Sequence, residues 1–154
     1  MQIKDYLKPA APHLAAIAIF VVLSFAYFYP VLEGKVLKAN DSMVAKISSK
    51  EIADFRAKYD KEPLWTNSMF SGMPSYLIST EYPGNLFKRV DIALRSLGMP
   101  VSVLLLSMAG FYIMLLLFGL NPWLSIAGSV GYGLSSFMLQ VIAAGHNTQA
   151  IALA

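Results

Sequence analysis

Hydrophobic residues in this chain form long uncharged stretches, whereas the charged residues are gathered in one central segment. Residues 9–32 and residues 96–154 contain no Lys, Arg, Asp or Glu, and eighteen of the 21 charged residues lie in 33–95. A helix crosses the bilayer core, about 30 Å thick, with about 20 apolar residues. The apolar stretches therefore predict three complete transmembrane helices and the start of a fourth: 14–32, 99–120, 122–141 and a truncated segment within 142–154.

The boundaries of these predicted helices carry their own signals. Asn121 and Pro122 can end one helix and begin the next, because Asn caps helices and Pro fits their first turn. Ser125, Ser129 and Gly133 recur every four residues, which predicts a small-residue face for close helix packing.

The last apolar segment begins only five residues before the end of the sequence. We therefore expect this chain to be the N-terminal part of a longer membrane protein.

The central segment, 33–98, is a long loop that contains two amphipathic stretches. Apolar residues recur at helical spacing in 49–59 and in 85–97, with charged residues on the other faces. Both stretches are predicted to be helices. They lie either along the membrane surface or within an ordinary loop domain, and the pattern favours neither arrangement.

The residues between these two helices, 62–79, are rich in aromatic, amide and hydroxyl side chains. This composition suits an ordered loop that stacks Trp65 on a sugar ring and hydrogen-bonds the sugar through Asn67. The alternative is a loop whose aromatic side chains pack onto the membrane interface.

Composition narrows the class of protein further. The chain is 56% hydrophobic and 14% charged, whereas a soluble domain carries about 25% charged residues. This difference excludes a free soluble domain and a disordered tail. There is no cysteine, and the net charge of +3 is too small to indicate binding of nucleic acid. The sequence predicts an all-α polytopic membrane protein whose first partner is the lipid bilayer.

Several segments of the chain, taken in order, resemble a known family. A first apolar helix ends in FYPVLEGKVL, and KEIADFRAKYDKEPLWTNSMFSGMPSYLIS follows, then NPW and GHNTQAIALA. Together they resemble the N-terminus of the YfhO-like bacterial membrane proteins, in the form common in Bacteroidetes. The resemblance covers nearly the whole chain, and its most specific parts are 62–74 and 145–149. YfhO-like proteins belong to the GT-C glycosyltransferase superfamily.

This resemblance implies a multi-pass protein of the bacterial inner (cytoplasmic) membrane that transfers a sugar. The implied donor is a polyprenyl-phosphate-linked sugar, and the implied acceptor is a glycan or lipid of the cell envelope. In the superfamily, an Asp in the first extracytoplasmic loop is usually catalytic, and here that residue is Asp41. A carboxylate can take the proton of the acceptor as the sugar–phosphate bond breaks. Alternatively, Asn40 or Asp41 simply caps a following helix.

Three further residues are candidates for binding substrate. His146 follows Gly145 at a predicted helix break, where it could orient a phosphate or hold the acceptor, or else be an ordinary interfacial residue. Arg89 and Arg95 precede the second predicted transmembrane helix, where they could bind the donor phosphate or simply anchor the helix at the interface. His13 is interpreted as an interfacial residue without a role. The residues do not define a metal site, and dependence on a divalent metal stays open.

The transferase interpretation fixes an orientation. Residues 1–13 are then cytoplasmic and 33–98 is extracytoplasmic, which brings His146 to the same side of the membrane as Asp41. Positively charged residues flank the long loop more heavily than the N-terminus, which favours the reverse orientation, but that rule weakens for loops beyond about 60 residues. Two other functions compete: a transporter of a lipid-linked glycan, and a non-catalytic membrane assembly protein.

Overall fold

The computed structural model describes residues 3–79, 84, 92–93 and 97–153, except the side chains of 3–9, 147 and 148. The structure is mostly helical, and we number its described helices in chain order. They are α1 (Ile3–Tyr27), α2 (Asn40–Ser48), α3 (Lys50–Tyr59), α4 (Met99–Leu117), α5 (Pro122–Gly133), α6 (Ser136–Ala144) and α7 (Asn147–Ala152). Two short strands, β1 (Trp65–Thr66) and β2 (Met73–Pro74), pair in antiparallel fashion, and 3-10 helices cover Tyr29–Val31 and Ser75–Leu77.

The chain divides into two compact units. The helical unit comprises residues up to 37 together with those from 91 onward, and it contains α1 and α4 to α7. The loop unit comprises 38–90 and contains α2, α3 and the two strands. The long loop predicted from the charge pattern is therefore a folded unit with its own helices.

Two described helices are long and apolar enough to cross a membrane. They are α1, through its segment Ala10–Tyr27, and α4. Both end earlier than their predicted limits of 32 and 120. Pro30 cannot continue α1, because its ring removes a helical N–H and clashes with the preceding turn. Gly119 lies beyond the end of α4 at a φ of +78°, the left-handed conformation in which many helices finish.

The predicted third transmembrane helix, 122–141, is divided into two helices. α5 and α6 meet at an angle of 47°. The side chain of Ser135 accepts a hydrogen bond from the backbone N–H of Met138, at 3.3 Å, and so begins a new helix. α5 and α6 could form a third crossing only as one broken span. After α6, Gly145 adopts a left-handed φ of +89°, and α7 starts within the segment predicted to begin a fourth helix.

The core of the helical unit forms around α4, which contacts α1, α5, α6 and α7. Its buried face presents Leu104 and Met108, against which Phe20 of α1 and Met138 of α6 pack. Much of the outward surface of these helices is also apolar, and this pattern is typical of helices that face lipid.

The predicted small-residue face of α5 is confirmed. Ser125, Ser129 and Gly133 are all buried. A Cβ atom on Gly133 would lie 2.4 Å from Cγ of Met108 in α4. A side chain larger than hydrogen at this position would therefore force Met108 or the helices themselves to shift.

In the loop unit, α2 and α3 follow each other with only Ser49 between them. The predicted helix over 49–59 is confirmed as α3: Ile52 is buried, and the rings of Phe55 and Tyr59 are in contact. Asp60 ends α3 in a left-handed conformation. The second predicted amphipathic helix, 85–97, lies almost entirely outside the described residues.

Candidate functional site

Asp41 lies in the first turn of α2 and is exposed. Ala39 precedes the helix in an extended conformation and occupies the N-cap position, and Asn40 is the first helical residue. Neither Asn40 nor Asp41 occupies the N-cap position considered for them, because both residues lie inside the helix. A carboxylate in the first turn still stabilises a helix through its dipole.

Asp41 lines a groove of about 330 Å³ within the loop unit. One wall comes from α2 and the other from the segment that follows β1. The lining residues are Asp41, Val44, Ala45, Ser48, Met69, Phe70, Met73, Leu77 and Ile78. Among these described lining residues, Asp41 is the charged one, so the groove combines apolar walls with a single carboxylate.

A tight turn between the two strands supplies part of the second wall. The backbone N–H of Gly72 donates to the carbonyl of Met69 at 2.8 Å. Phe70 and Ser71 adopt left-handed φ angles of +49° and +61°, and this conformation costs a residue with a Cβ atom roughly 1–2 kcal/mol. The turn leaves the Phe70 side chain 83% exposed. Phe70 is one of the aromatic residues that the sequence shows in this loop, but its outward position was not predicted, because a positive φ at a non-glycine residue has no sequence signal.

Glu51 of α3 fastens the segment that follows β1. The Thr66 hydroxyl donates to Oε2 of Glu51 at 2.5 Å, and the backbone N–H of Asn67 donates to the same oxygen at 2.9 Å. The Ser68 hydroxyl donates to the carbonyl of Ser48 at 2.7 Å. The hydrogen bond from Thr66, followed by that from Asn67, lowers the pKa of Glu51 below its usual value. These contacts hold the segment against the junction of α2 and α3.

Arg56 of α3 fixes two other points of the loop unit. Its guanidinium makes two parallel hydrogen bonds of 2.8 Å to the Glu62 carboxylate, from Nε and from Nη2. It also donates to the hydroxyl of Ser79 at 3.1 Å and to the Ser79 carbonyl at 2.9 Å. The planar guanidinium suits such paired contacts. The roles of Arg56 and Glu51 were not predicted from the sequence. Their hydrogen-bond partners lie at sequence separations that follow no helical period.

Trp65 and Asn67, the predicted sugar-binding residues, do not line the groove that holds Asp41. Trp65 is 57% exposed, and its indole lies against Gly72, where a Cβ atom would be 2.6 Å from Nε1. Asn67 is exposed. Both side chains are accessible to a ligand in solution, and their binding of sugar stays a prediction.

The remaining candidates lie either in the helical unit or outside the described residues. His146 belongs to the helical unit, where it is exposed and precedes α7. Its approach to Asp41 stays a prediction. Arg89 and Arg95 lie outside the described residues. Within 3–79 and 97–153, no group of three or more His, Cys, Asp or Glu side chains could hold a metal ion.

His13 has a structural contact that sequence reasoning did not foresee. Its Nδ1 lies 2.9 Å from the Tyr112 hydroxyl, which joins α1 to α4. The Tyr112 ring also packs edge-on against Phe20. His13 thus helps to hold the helical unit together.

Comparison of the chain with known protein families, with curated proteins and with solved structures finds no match. The candidate site therefore stands on its geometry and on the sequence resemblance.

Proposed function

We propose that the chain is the N-terminal part of a YfhO-like, GT-C-type glycosyltransferase of the bacterial inner membrane. The observation that carries the proposal is the position of Asp41 on a groove of about 330 Å³ with apolar walls, in a loop unit that follows an apolar helix. In this proposal α1, α4 and the bent pair α5–α6 cross the membrane, and α7 begins a fourth crossing. The loop unit lies on the extracytoplasmic side.

Asp41 is the general base of the proposed reaction. It takes the proton from an acceptor hydroxyl while the oxygen of that hydroxyl bonds to the anomeric carbon of the sugar. The bond between that carbon and the phosphate oxygen breaks, and the polyprenyl phosphate leaves with the electron pair. Arg89 and Arg95 neutralise this phosphate.

The other candidate residues orient the substrates. Trp65 stacks on the sugar ring, Asn67 hydrogen-bonds it, and His146 holds the acceptor. The envelope glycan or lipid that receives the sugar is then the product to be measured.

Substitution of Asp41 by Asn in the full-length protein tests the proposal. First, the envelope glycans of a strain that lacks the gene are compared with those of the wild type by mass spectrometry. This comparison identifies the glycan that depends on the protein. Asp41→Asn removes the base with almost no change of shape, so transfer should fall by roughly 10²–10⁴-fold, while the lipid-linked donor accumulates. Asp54→Asn, an exposed carboxylate on α3, is the matched control and should transfer normally.

The amount of protein in the membrane fraction is measured in parallel, so that loss of folding is distinguished from loss of chemistry. Wild-type transfer by the Asp41→Asn protein would contradict the proposed role of Asp41. If deletion of the gene abolished the glycan and Asp41→Asn did not, a non-catalytic assembly protein would be the better account.

A further inference from the structure

The groove of the loop unit is surrounded by exposed apolar side chains. Phe70 is 83% exposed, Leu77 61% and Val44 55%, and all three line the groove. Ile47 is 68% exposed and follows Val44 by three residues on α2, which places it on the same face of that helix. We call these four side chains the apolar rim, and water solvates clustered exposed apolar side chains of this kind poorly.

The backbone conformation that exposes the apolar rim is unfavourable by itself. Phe70 and Ser71 both have left-handed φ angles, and conformations of this kind persist where the surrounding structure imposes them, often at binding surfaces. Here the hydrogen bond between Gly72 and Met69 and the strand pairing impose it. The outcome is an aromatic side chain held outward at the tip of a turn.

The covalent chain keeps the loop unit close to any bilayer that α1 and α4 cross. α1 ends at Tyr27, and the loop unit begins at Lys38. At its other end the loop unit finishes at Val90, and α4 begins at Met99. Even fully extended, these connections reach only about 40 Å and about 30 Å. The loop unit is therefore tethered within these distances of any bilayer that α1 and α4 cross.

We propose that the apolar rim inserts into the lipid bilayer at the boundary between headgroups and acyl chains. Phe70 is the deepest residue of this contact, and Leu77, Val44 and Ile47 surround it. Burial of these side chains in the boundary removes apolar area from water. The mouth of the groove, and with it the Asp41 carboxylate, consequently lies at the level of the lipid headgroups. The proposal requires that α1 and α4 cross the membrane, but it does not depend on glycosyl transfer.

Spin labels at single cysteines test the proposal, because the native chain has no cysteine. The full chain is reconstituted in liposomes of phosphatidylethanolamine and phosphatidylglycerol. Phe70→Cys and Leu77→Cys probe the apolar rim, and Lys58→Cys, an exposed position on α3, is the control. Collision rates of each label are measured with oxygen, which concentrates in the bilayer, and with a nickel chelate, which stays in water.

The proposal expects oxygen collisions to exceed nickel collisions at positions 70 and 77 and the reverse at position 58. Circular dichroism confirms that each labelled variant keeps its helical content. Nickel accessibility at position 70 or 77 equal to that at position 58 would overturn the proposal. Low accessibility to both reagents would also overturn it, because the rim would then be covered by protein.

Discussion

In the helical unit most hydrogen-bonding side chains bond to their own helix, whereas in the loop unit several of them join segments far apart in the sequence. Ser107 and Ser129 each donate to the carbonyl four residues earlier. In contrast, the Thr66 hydroxyl donates to Glu51, 15 residues earlier in the chain. The Arg56 guanidinium donates to the carbonyl of Ser79, 23 residues later. Long-range side-chain contacts in the described part of the helical unit include those of His13 with Tyr112, of Ser107 with the Met138 sulfur and of the Tyr132 hydroxyl with the Leu153 carbonyl.

In the proposed arrangement the helical unit is in lipid and the loop unit in water, and this difference of solvent accounts for the contrast. In a bilayer the backbone must be satisfied within each helix, and helices associate through close packing of small residues. In water, a small unit without a large core gains order from charge-assisted hydrogen bonds to buried or partly buried groups. The helical unit should therefore be most sensitive to changes of shape, and the loop unit to changes of polar partners and turn conformation.

The largest effect is expected where α4 and α5 pack most closely. In Gly133→Ala the new methyl would overlap Met108, and such overpacking costs about 1–3 kcal/mol. Gly131→Ala is the matched control, because it lies in the same helix and its Cβ meets nothing within 4 Å. Thermal unfolding in detergent measures both variants. Equal stability of the two would show that the small-residue contact does not hold α4 to α5.

A more local effect, confined to the loop unit, is expected at its turn. Gly72 has a φ of +119°, and Ala at this position would also collide with the Trp65 indole. Gly34→Ala is the control: its φ is +75°, and its Cβ meets nothing. The positive φ costs both variants roughly 1–2 kcal/mol. Gly72→Ala should lose more stability than Gly34→Ala because only its Cβ also collides with Trp65. Hydrogen exchange at the amides of 65–75 reports this loss, and unchanged exchange would contradict it.

The smallest effect is expected from protonation of Glu51. Hydrogen bonds hold the pKa of Glu51 below the usual 4.5. The ionised carboxylate therefore contributes its full stabilisation of the folded state above pH 4.5. This stabilisation is lost as the pH falls through the lowered pKa of the folded state. Fluorescence of Trp65, in a Trp123→Phe background, should change in this acidic range.

Glu51→Gln supplies the comparison for this pH effect. Its amide oxygen accepts the same hydrogen bonds more weakly and does not titrate, so the pH-dependent change should disappear. Asp54→Asn is the control and should keep the wild-type profile. An identical acid transition in the Glu51→Gln protein would mean that another group is responsible.

The sequence predicted the apolar helices better than the loop unit. The long uncharged stretches indicated α1 and α4, and the four-residue recurrence of small side chains indicated the packing face of α5. The bend before α6 was missed because apolar residues continue through it, while Ser135 alone signals the new helix.

The groove of the loop unit was not predicted from the sequence. The resemblance named Asp41, but the groove beside it depends on the left-handed turn at Phe70 and on the contacts of Glu51 and Arg56. These features join residues without any periodic spacing, so no pattern in the sequence indicates them.

The most direct test of the account is to determine on which side of the membrane the loop unit lies. Lys58→Cys and Asp5→Cys are expressed separately in intact bacteria and treated with a maleimide that does not cross the inner membrane. The account predicts that the cysteine at position 58 reacts in intact cells and that the one at position 5 reacts only after lysis. Reaction of position 58 only after lysis would put Asp41 on the cytoplasmic side and contradict the extracytoplasmic transferase.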